Sequence, residues 1–344
     1  MNGISLSEAF FHDCVAPLAT KMHPWALDAF SAAILGDGSE VLGYDDEISQ
    51  DHNFSPRVLL FLEDETYDRV GPALLNDLRQ ALPASYRGHA LLWTEYRRAL
   101  DVVPLQRFFC QCIDLHELPR TAVEWLRCDE QRLLELTAGK IFHDPGGRLA
   151  ALRQRLHFYP PEVRLFLLRL AFVRLSECAG AERCIQRGDR LALHAYTAYF
   201  TLFAIKAAHL IERRYCPYHK WMARSLLELG PFGAQIHGTL LAMINASTLD
   251  ATRDAMLAVL QQLGTRITDE LGTPPPQVGV VDGLTLLAFD WEAVMYPLSE
   301  QMPESLRRLS PLISPAGYLG QIFDYSGYGS TYRELLEQNF YLTR

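Results

Sequence analysis

The chain of 344 residues carries 32 basic and 41 acidic side chains, which gives a net charge of −9 at pH 7. This acidic balance argues against a protein that binds duplex nucleic acid, because such binding depends on basic side chains that neutralise phosphates. Hydrophobic residues make up 49% of the chain, which is enough to build the cores of two domains.

The sequence predicts a cytoplasmic protein that does not enter a membrane. No stretch reaches the roughly 18 apolar residues of a membrane-spanning helix. The polar start "MNGISLSEAFFHD" is unlike a signal peptide. The 7 cysteines, an odd number with no CxxC pair among them, are typical of free thiols in a reducing compartment.

The first hundred residues alternate between helical and strand patterns, which is typical of a small mixed α and β domain. Continuous short runs of β-branched and aromatic residues predict buried strands. The predicted elements are, in chain order, a helix at residues 6–20 interrupted near Pro17, a buried strand in "RVLLFLED", a helix in "ETYDRVGPALLNDLRQAL" that ends at Pro83, and strands in "GHALLWT" and "ALDVVPL".

After about Val123 the apolar residues recur at intervals of three and four, which predicts helices. Pro160 and Pro161 lie at a predicted helix start, where the missing N–H costs nothing. The fold class is therefore predicted as α+β, with a small mixed-sheet domain at residues 1–122 and a helical-bundle domain at residues 123–344. The helical segments include "DEQRLLELTAGKIF", "GRLAALRQRLHF", "PPEVRLFLLRLAFVRLSECA", "RLALHAYTAYFTLFAIKAAHLIERRY" and "TLDATRDAMLAVLQQLGTRITDEL".

The stretch "GDGSEVLGYDDEISQDHNF" gathers acidic residues beside a glycine turn and just before a predicted strand. Like charges held close together repel, so a bound cation is one reason for such a cluster. Asp51 and Asn53 are two residues apart, so on a strand they would point to the same side while His52 points away.

Two further features fit a metal that carries a nucleotide. The turn at Gly38 and Ser39 offers backbone N–H groups and a hydroxyl that can hold phosphate oxygens. Asp101 lies inside the apolar run "ALDVVP", where an acid is unusual unless it is paired or bound to a metal. Oxygen ligands from Asp51, Asn53 and Asp101 would suit Mg²⁺.

This arrangement resembles the DNA polymerase β-like nucleotidyltransferase superfamily. The superfamily signature is a Gly-Ser turn, an Asp-x-Asp pair about a dozen residues later and a third acid on a nearby strand. The resemblance extends over most of the chain to a mainly bacterial branch described as a domain of unknown function. The stretches that carry it are "GSEVLGYDDEISQDHNF", "EQRLLELTAGKIFHD" and "ERRYCPYHKW".

The resemblance implies a nucleotidyltransferase domain in which Gly38 and Ser39 hold the phosphates of a nucleotide such as ATP. Asp51, Asn53 and Asp101 would be the catalytic and metal-binding residues for Mg²⁺. Asn53 departs from the pattern, because a neutral amide stands where the superfamily has a second Asp. The partners implied are a nucleotide and a small-molecule acceptor with a hydroxyl or an amine, as in the aminoglycoside-modifying members.

The helical half offers further candidates for nucleotide binding. Lys220 could reach a triphosphate and Tyr218 could stack on a base, both within "ERRYCPYHKW". Arg183 and Arg187 lie four residues apart on one predicted helix face and could grip an anion. Each also has an ordinary structural interpretation, in which cations complement a helix C-terminus and aromatic rings fill a core.

Several alternatives stay open at this point. Asn53 also fits a nucleotide sensor with little or no catalysis, and the acceptor could be a protein or a tRNA. Asp45, Asp46 and Glu47 could equally cap or solvate a surface loop. The general base could be Glu95, Asp101 or Glu212.

Overall fold

The computed structural model describes residues 2–50, 54–94 and 97–309. Within them the chain forms two compact units. The first contains the residues up to Pro119 together with Gln131–His157, and the second contains Arg120–Glu130 and the residues from Phe158 onward. The sequence predicted a single boundary after residue 122. The structure differs, because Gln131–His157 belongs to the first unit although it follows the first segment of the second unit.

The described elements confirm the predicted α+β class, with a small mixed sheet and many helices. Up to residue 119 they are α1 (Gly3–Phe10), α2 (Ala16–Met22), α3 (Ala26–Ala29), β1 (Ser31–Ile34), β2 (Val58–Leu62), α4 (Asp64–Ala81), β3 (Ser85–Tyr86), β4 (His89–Ala90), β5 (Leu100–Pro104) and α5 (Leu105–Cys112). From residue 120 they are α6 (Ala122–Arg127), α7 (Glu130–Thr137), β6 (Lys140–His143), α8 (Arg148–Arg155), α9 (Pro161–Glu177), α10 (Ala181–Arg187), α11 (Arg190–Ile211), α12 (His219–Leu227), α13 (Gly230–Ile244), α14 (Leu249–Leu271), α15 (Trp291–Glu300) and α16 (Glu304–Leu309).

The predicted interruption of the first helix is a π-helical turn at Phe11–Val15. Pro17 has no N–H and cannot continue the regular i to i−4 ladder. The N–H of Ala16 instead bonds to the carbonyl of Phe11, five residues back. Helix continuity is kept, so the buried rings of Phe10 and Phe11 both face the core of the first unit.

The sheet of the first unit has the strand order β5-β2-β1-β6. β1 runs antiparallel to β2, and β2 runs parallel to β5. Side chains that alternate along β2 and β5 pack into one apolar cluster with α1 and α4; this cluster includes Val58, Leu60, Leu74, Leu100 and Val102. The buried strands predicted in "RVLLFLED" and "ALDVVPL" are therefore confirmed, whereas "GHALLWT" contributes only the two residues of β4.

The helical prediction for "DEQRLLELTAGKIF" is wrong for its last residues. α7 ends at Thr137, and β6 then pairs antiparallel with β1. Gly139 makes this change possible with φ +75°, a value that other residues rarely adopt. Arg153 donates hydrogen bonds to the carbonyls of Thr137 and Ala138, so the end of α7 is capped by a side chain of α8.

The second unit is a helical bundle, as predicted. α9 is buried on most of its surface and packs against α11 and α15. Arg164 of α9 is 4% exposed and donates to the carbonyls of Leu210 and Ile211 at the end of α11. The same guanidinium forms two hydrogen bonds of 2.7 Å with Glu270, which ties α14 to the pair. No helix of the described residues is long and apolar enough to cross a lipid bilayer.

We predict that Gly139→Ala destabilises the first unit more than Gly147→Ala. Both glycines have positive φ, at +75° and +64°. A Cβ at Gly139 would lie 2.0 Å from the carbonyl oxygen of Ile34, whereas at Gly147 nothing lies within 4 Å. We expect a loss of about 1–2 kcal/mol for Gly147→Ala and of more than about 3 kcal/mol for Gly139→Ala in urea unfolding. Equal losses would contradict the close approach of Gly139 to β1.

Candidate functional site

The directions of three strands bring separate parts of the sequence to one edge of the sheet. Ala33 of β1 lies opposite Leu59 of β2, and Leu59 lies beside Asp101 of β5. The end of β1, the start of β2 and the start of β5 therefore meet at the same edge. With neighbouring strands about 4.8 Å apart, Asp101 lies about 10 Å from the end of β1. The predicted Gly-Ser turn and Asp101 thus share this edge.

The turn that follows β1 is held by its own backbone. The N–H of Val41 bonds to the carbonyl of Gly38 at 3.2 Å, and the N–H of Tyr44 bonds to the carbonyl of Ser39 at 2.9 Å. Gly38 has φ +125°, and a Cβ there would lie 2.4 Å from a carboxylate oxygen of Glu40. The positive φ favours glycine at this position, and the Glu40 carboxylate packs close against it.

Two arginines hold the acids of this turn. Arg57, immediately before β2, donates to the Asp37 carbonyl at 2.6 Å and lies 3.2 Å from a Glu40 carboxylate oxygen. Arg97, on the loop before β5, lies 3.0 Å from the same Glu40 oxygen. Arg57 is only 9% exposed, and burial lowers the pKa of its guanidinium while Glu40 raises it. We call Asp37, Glu40, Arg57 and Arg97 the turn cluster.

Asp101 is half-buried at the start of β5 and already has a cationic partner. Its Oδ2 lies 3.1 Å from Nη1 of Arg98, and its Oδ1 accepts the N–H of Val102 at 3.0 Å. Burial raises the pKa of the Asp101 carboxyl, which outweighs the opposite effect of Arg98. A carboxylate has about four lone-pair positions, so Asp101 keeps acceptor capacity for a further ligand.

Other acids of the glycine-rich stretch have structural partners. Asp45 accepts the N–H of Gly3 at 2.6 Å, at the first turn of α1. Asp46 accepts the N–H and the hydroxyl of Ser49, both at 2.8 Å, where a short 3₁₀ helix begins. The structure therefore supports the capping interpretation of Asp45 and Asp46.

Asp51 and Asn53, the other two predicted metal ligands, lie outside the described residues, as does His52. β2 begins only at Val58, and residues 54–57 are not part of a strand. Among residues 2–50, 54–94 and 97–309, no three His, Cys, Asp or Glu side chains are arranged to hold a metal ion. Of the predicted ligand set, the structure describes Asp101 alone.

Tyr218 and Lys220 form a local cluster at the start of α12 in the second unit. The hydroxyl of Tyr218 accepts the indole N–H of Trp221 at 3.0 Å. Lys220 Nζ lies 4.9 Å from the centroid of the Trp221 ring, which is a cation–π contact. Both residues belong to the second unit, whereas Gly38, Ser39 and Asp101 belong to the first.

Arg187 is separated from Lys220 by the length of α11. Arg187 ends α10, just before the 22 residues of α11, which span about 33 Å. α12 packs near the other end of α11, where His209 bonds to Ser225 at 2.9 Å. The structure therefore does not bring Arg187 and Lys220 to one nucleotide-sized site.

His209 is fully buried beside the segment "ERRYCPYHKW". Its Nδ1 must donate to the carbonyl of Ile205, at 2.9 Å, because a carbonyl can only accept. The neutral ring then accepts the hydroxyl proton of Ser225 at Nε2. Burial lowers the pKa of His209 to about 4, which keeps the ring neutral.

Residues 125–222 match a family described as Domain of unknown function (DUF4037). This match covers well under half of the chain and agrees with the resemblance carried by "EQRLLELTAGKIFHD" and "ERRYCPYHKW". No curated protein matches the chain.

One solved structure is similar over most of the chain. It is described as a nucleotidyltransferase-like protein from Exiguobacterium sibiricum 255-15. The identity is 10%, the alignment covers 77% of this chain and 82% of that one, and the TM-score is 0.32. With so low a TM-score, the similarity says nothing about activity or site residues.

Sequence reasoning missed Arg57, Arg97 and Arg98, the three cations at the sheet edge. Arg57 stands directly before the predicted strand, and Arg97 and Arg98 stand directly before the predicted strand that carries Asp101. Their position at the start of predicted strands could have indicated this role. Acids that lie at the same edge of the sheet need nearby cations to balance their charge.

We predict that Glu40→Gln destabilises the protein by about 2 kcal/mol, because it removes the carboxylate shared by two largely buried arginines. Asp68→Asn is the matched control in the same unit, since Asp68 pairs with Arg107 and both are well exposed. Its loss should stay below about 1 kcal/mol. Urea unfolding measures both, and similar values for the two variants would contradict the role of Glu40.

We predict that His209 lowers stability in acid. The unfolded chain takes up a proton below about pH 6.5, whereas folded His209 does so only near pH 4, so stability falls as the pH falls through this window. The shift corresponds to about 3 kcal/mol. From about pH 7 to pH 4, the free energy of unfolding should decrease by about 3 kcal/mol more for the natural chain than for His209→Gln. Parallel curves would show that His209 protonates freely in the folded state.

Proposed function

We propose that this chain is a Mg²⁺-dependent nucleotidyltransferase that moves a nucleoside monophosphate, AMP from ATP, onto a hydroxyl or amine of a small molecule. The observation that carries the proposal is the strand register that puts the turn at Gly38 and Ser39 and the carboxylate of Asp101 at one edge of the sheet. Transfer of this kind needs a phosphate-holding turn and an acid within reach of the same phosphates.

In this proposal the turn would hold the triphosphate, and Asp101 would be one of the residues that hold a magnesium ion. The magnesium ion, when bound, neutralises charge on the phosphates during displacement. Asp101 fits as one of its ligands, because one carboxylate with two of its lone-pair positions in use can still accept a cation. Asp51 and Asn53 complete the proposed set by the resemblance of the sequence.

Arg57 and Arg97 are the cations that the first unit offers to a triphosphate at this turn. Both lie within 3.2 Å of a Glu40 oxygen, and Arg97 also lies 3.9 Å from Asp37. An arriving phosphate would share these guanidinium groups with Glu40, since each guanidinium has five N–H donors. The proposal therefore gives the turn cluster the role of orienting the phosphates.

A nucleotide-binding module with little or no catalysis is the second candidate. The ion pair between Asp101 and Arg98, at 3.1 Å, favours it, because Arg98 already supplies the positive charge that a metal would provide. The neutral Asn53 points in the same direction. In this alternative, ATP binds at the turn without release of pyrophosphate.

We predict that Asp101→Asn lowers the rate of pyrophosphate release by about 100-fold or more, because a charged group facing the reacting phosphoryl is lost. The assay uses the purified full chain with ATP labelled at the α-phosphate, Mg²⁺ and a mixture of small hydroxylated and amino compounds. Asp68→Asn in the same unit is the control and should keep the rate of the natural chain.

The outcomes separate the candidates. Pyrophosphate release with label on a small molecule supports the enzyme. ATP binding in calorimetry without any release, unchanged in Asn53→Asp, supports the nucleotide-binding module. If a cell extract is added and the label appears on proteins or tRNA, the acceptor is a macromolecule and the proposed small-molecule acceptor is wrong. Absence of ATP binding would overturn both candidates.

A further inference from the structure

A pocket in the second unit, whose lining includes none of the predicted site residues, has the properties of a ligand site. It lies where the start of α11 faces the end of α13 and the start of α14, and its volume is about 680 Å³. Pockets of about 300–1,000 Å³ are typical of small-molecule sites. Its lining includes Arg190, Leu191, His194, Thr201, Ile244 and Leu249.

The wall of the pocket is apolar and reaches the surface. Met243, Ile244 and Leu249 form one side, and Leu191 forms part of the other. Leu191 is 84% exposed and Ile244 is 61% exposed. Large aliphatic side chains that converge on one exposed concave surface typically mark a binding site, because their contact with water is unfavourable.

An arginine and a histidine stand at one end of this wall. Arg190 and His194 are four residues apart on α11, so they share one face of the helix. Neither side chain forms a hydrogen bond or an ion pair with the part of the chain that the structure describes. Other arginines of this unit do: Arg253 lies 2.8 Å from Asp250, and Arg266 lies 3.0 Å from Glu212.

The acids closest in sequence to Arg190 and to Leu249 have partners of their own. Asp189 accepts the N–H of Ala192 and caps α11, and Asp250 pairs with Arg253. The hydroxyl of Thr201 donates to the carbonyl of Thr197 at 2.8 Å, so it offers the pocket acceptor positions only. The donors available to a ligand are therefore the guanidinium of Arg190 and the imidazole of His194.

We propose that this pocket binds a small amphiphile with an anionic head and an apolar body. The head, a carboxylate or a phosphate, bonds to Arg190 and faces His194, since charge-assisted hydrogen bonds to a guanidinium are the strongest available here. The body covers Leu191, Ile244 and Leu249 and removes them from water. This site is independent of the proposed nucleotide transfer, because none of its residues belongs to the first unit.

Isothermal titration calorimetry of the full chain with four probes tests the proposal. Octanoate has a carboxylate head on an apolar chain, and octyl phosphate has a phosphate head on a chain of the same length. Octanol has the chain without the charge, and acetate has the carboxylate without the chain. We expect both anions with the octyl chain to bind at one site, octanol to bind at least about fivefold more weakly and acetate to give no saturable heat.

Three variants separate the parts of the site. Arg190→Gln should weaken octanoate about tenfold and leave octanol unchanged, whereas Ile244→Ser should weaken both about fivefold. The control is Arg155→Gln, which changes an exposed arginine of α8 in the first unit and should bind octanoate like the natural chain. All three residues are exposed, so thermal unfolding midpoints should match. Absence of saturable octanoate binding, or equal effects of Arg190→Gln and Arg155→Gln, would overturn the proposal.

Discussion

The direction of the strands in the small sheet is the constraint on which the candidate site depends. β1 leaves the sheet at the edge where β2 and β5 begin, because β1 is antiparallel to β2 and β2 is parallel to β5. A reversed β5 would move Asp101 toward the opposite edge, away from the turn after β1. Backbone hydrogen bonds in the ladder fix this arrangement, so the site is built on rigid elements.

The concentration of acid after β1 is balanced mainly by protein groups. Glu40 and Asp37 face Arg57 and Arg97, Asp45 caps α1, and Asp46 caps a 3₁₀ turn. A partly buried ion cluster of this kind is costly to break, because each arginine loses hydration that only its carboxylates replace. The same cluster holds cations next to a glycine turn, which is the chemistry that phosphate binding requires.

The arginines near the two ends of α11 have different surroundings. Near the C-terminal end, Arg164, Arg213 and Glu270 form a network that ties α9, α11 and α14 together. Near the N-terminal end, Arg190 faces a pocket and has no such partner within the described chain. The first arrangement uses its arginines to hold helices together, whereas the second leaves an arginine beside an exposed apolar wall.

Local chemistry determined much of this protein from its sequence alone. Pro17 favours a π-helical turn within the first helix because it lacks an N–H, and "RVLLFL" forms a strand because a short apolar run between polar ends suits a buried position. The helices of the second unit follow from apolar residues repeated every three or four positions. These features depend on neighbours within a few residues, so the α+β class could be predicted.

Only the tertiary structure decided which distant residues meet. β6 lies in a segment with a helical pattern, and its pairing with β1, more than a hundred residues earlier, overrides that pattern. Arg57 precedes α4 in the sequence and Arg97 follows it, yet both contact the carboxylate of Glu40. The pocket around Arg190 needs three helices that are separate in the chain. Contacts of this kind are set by strand register and helix packing, and no local pattern of residues encodes them.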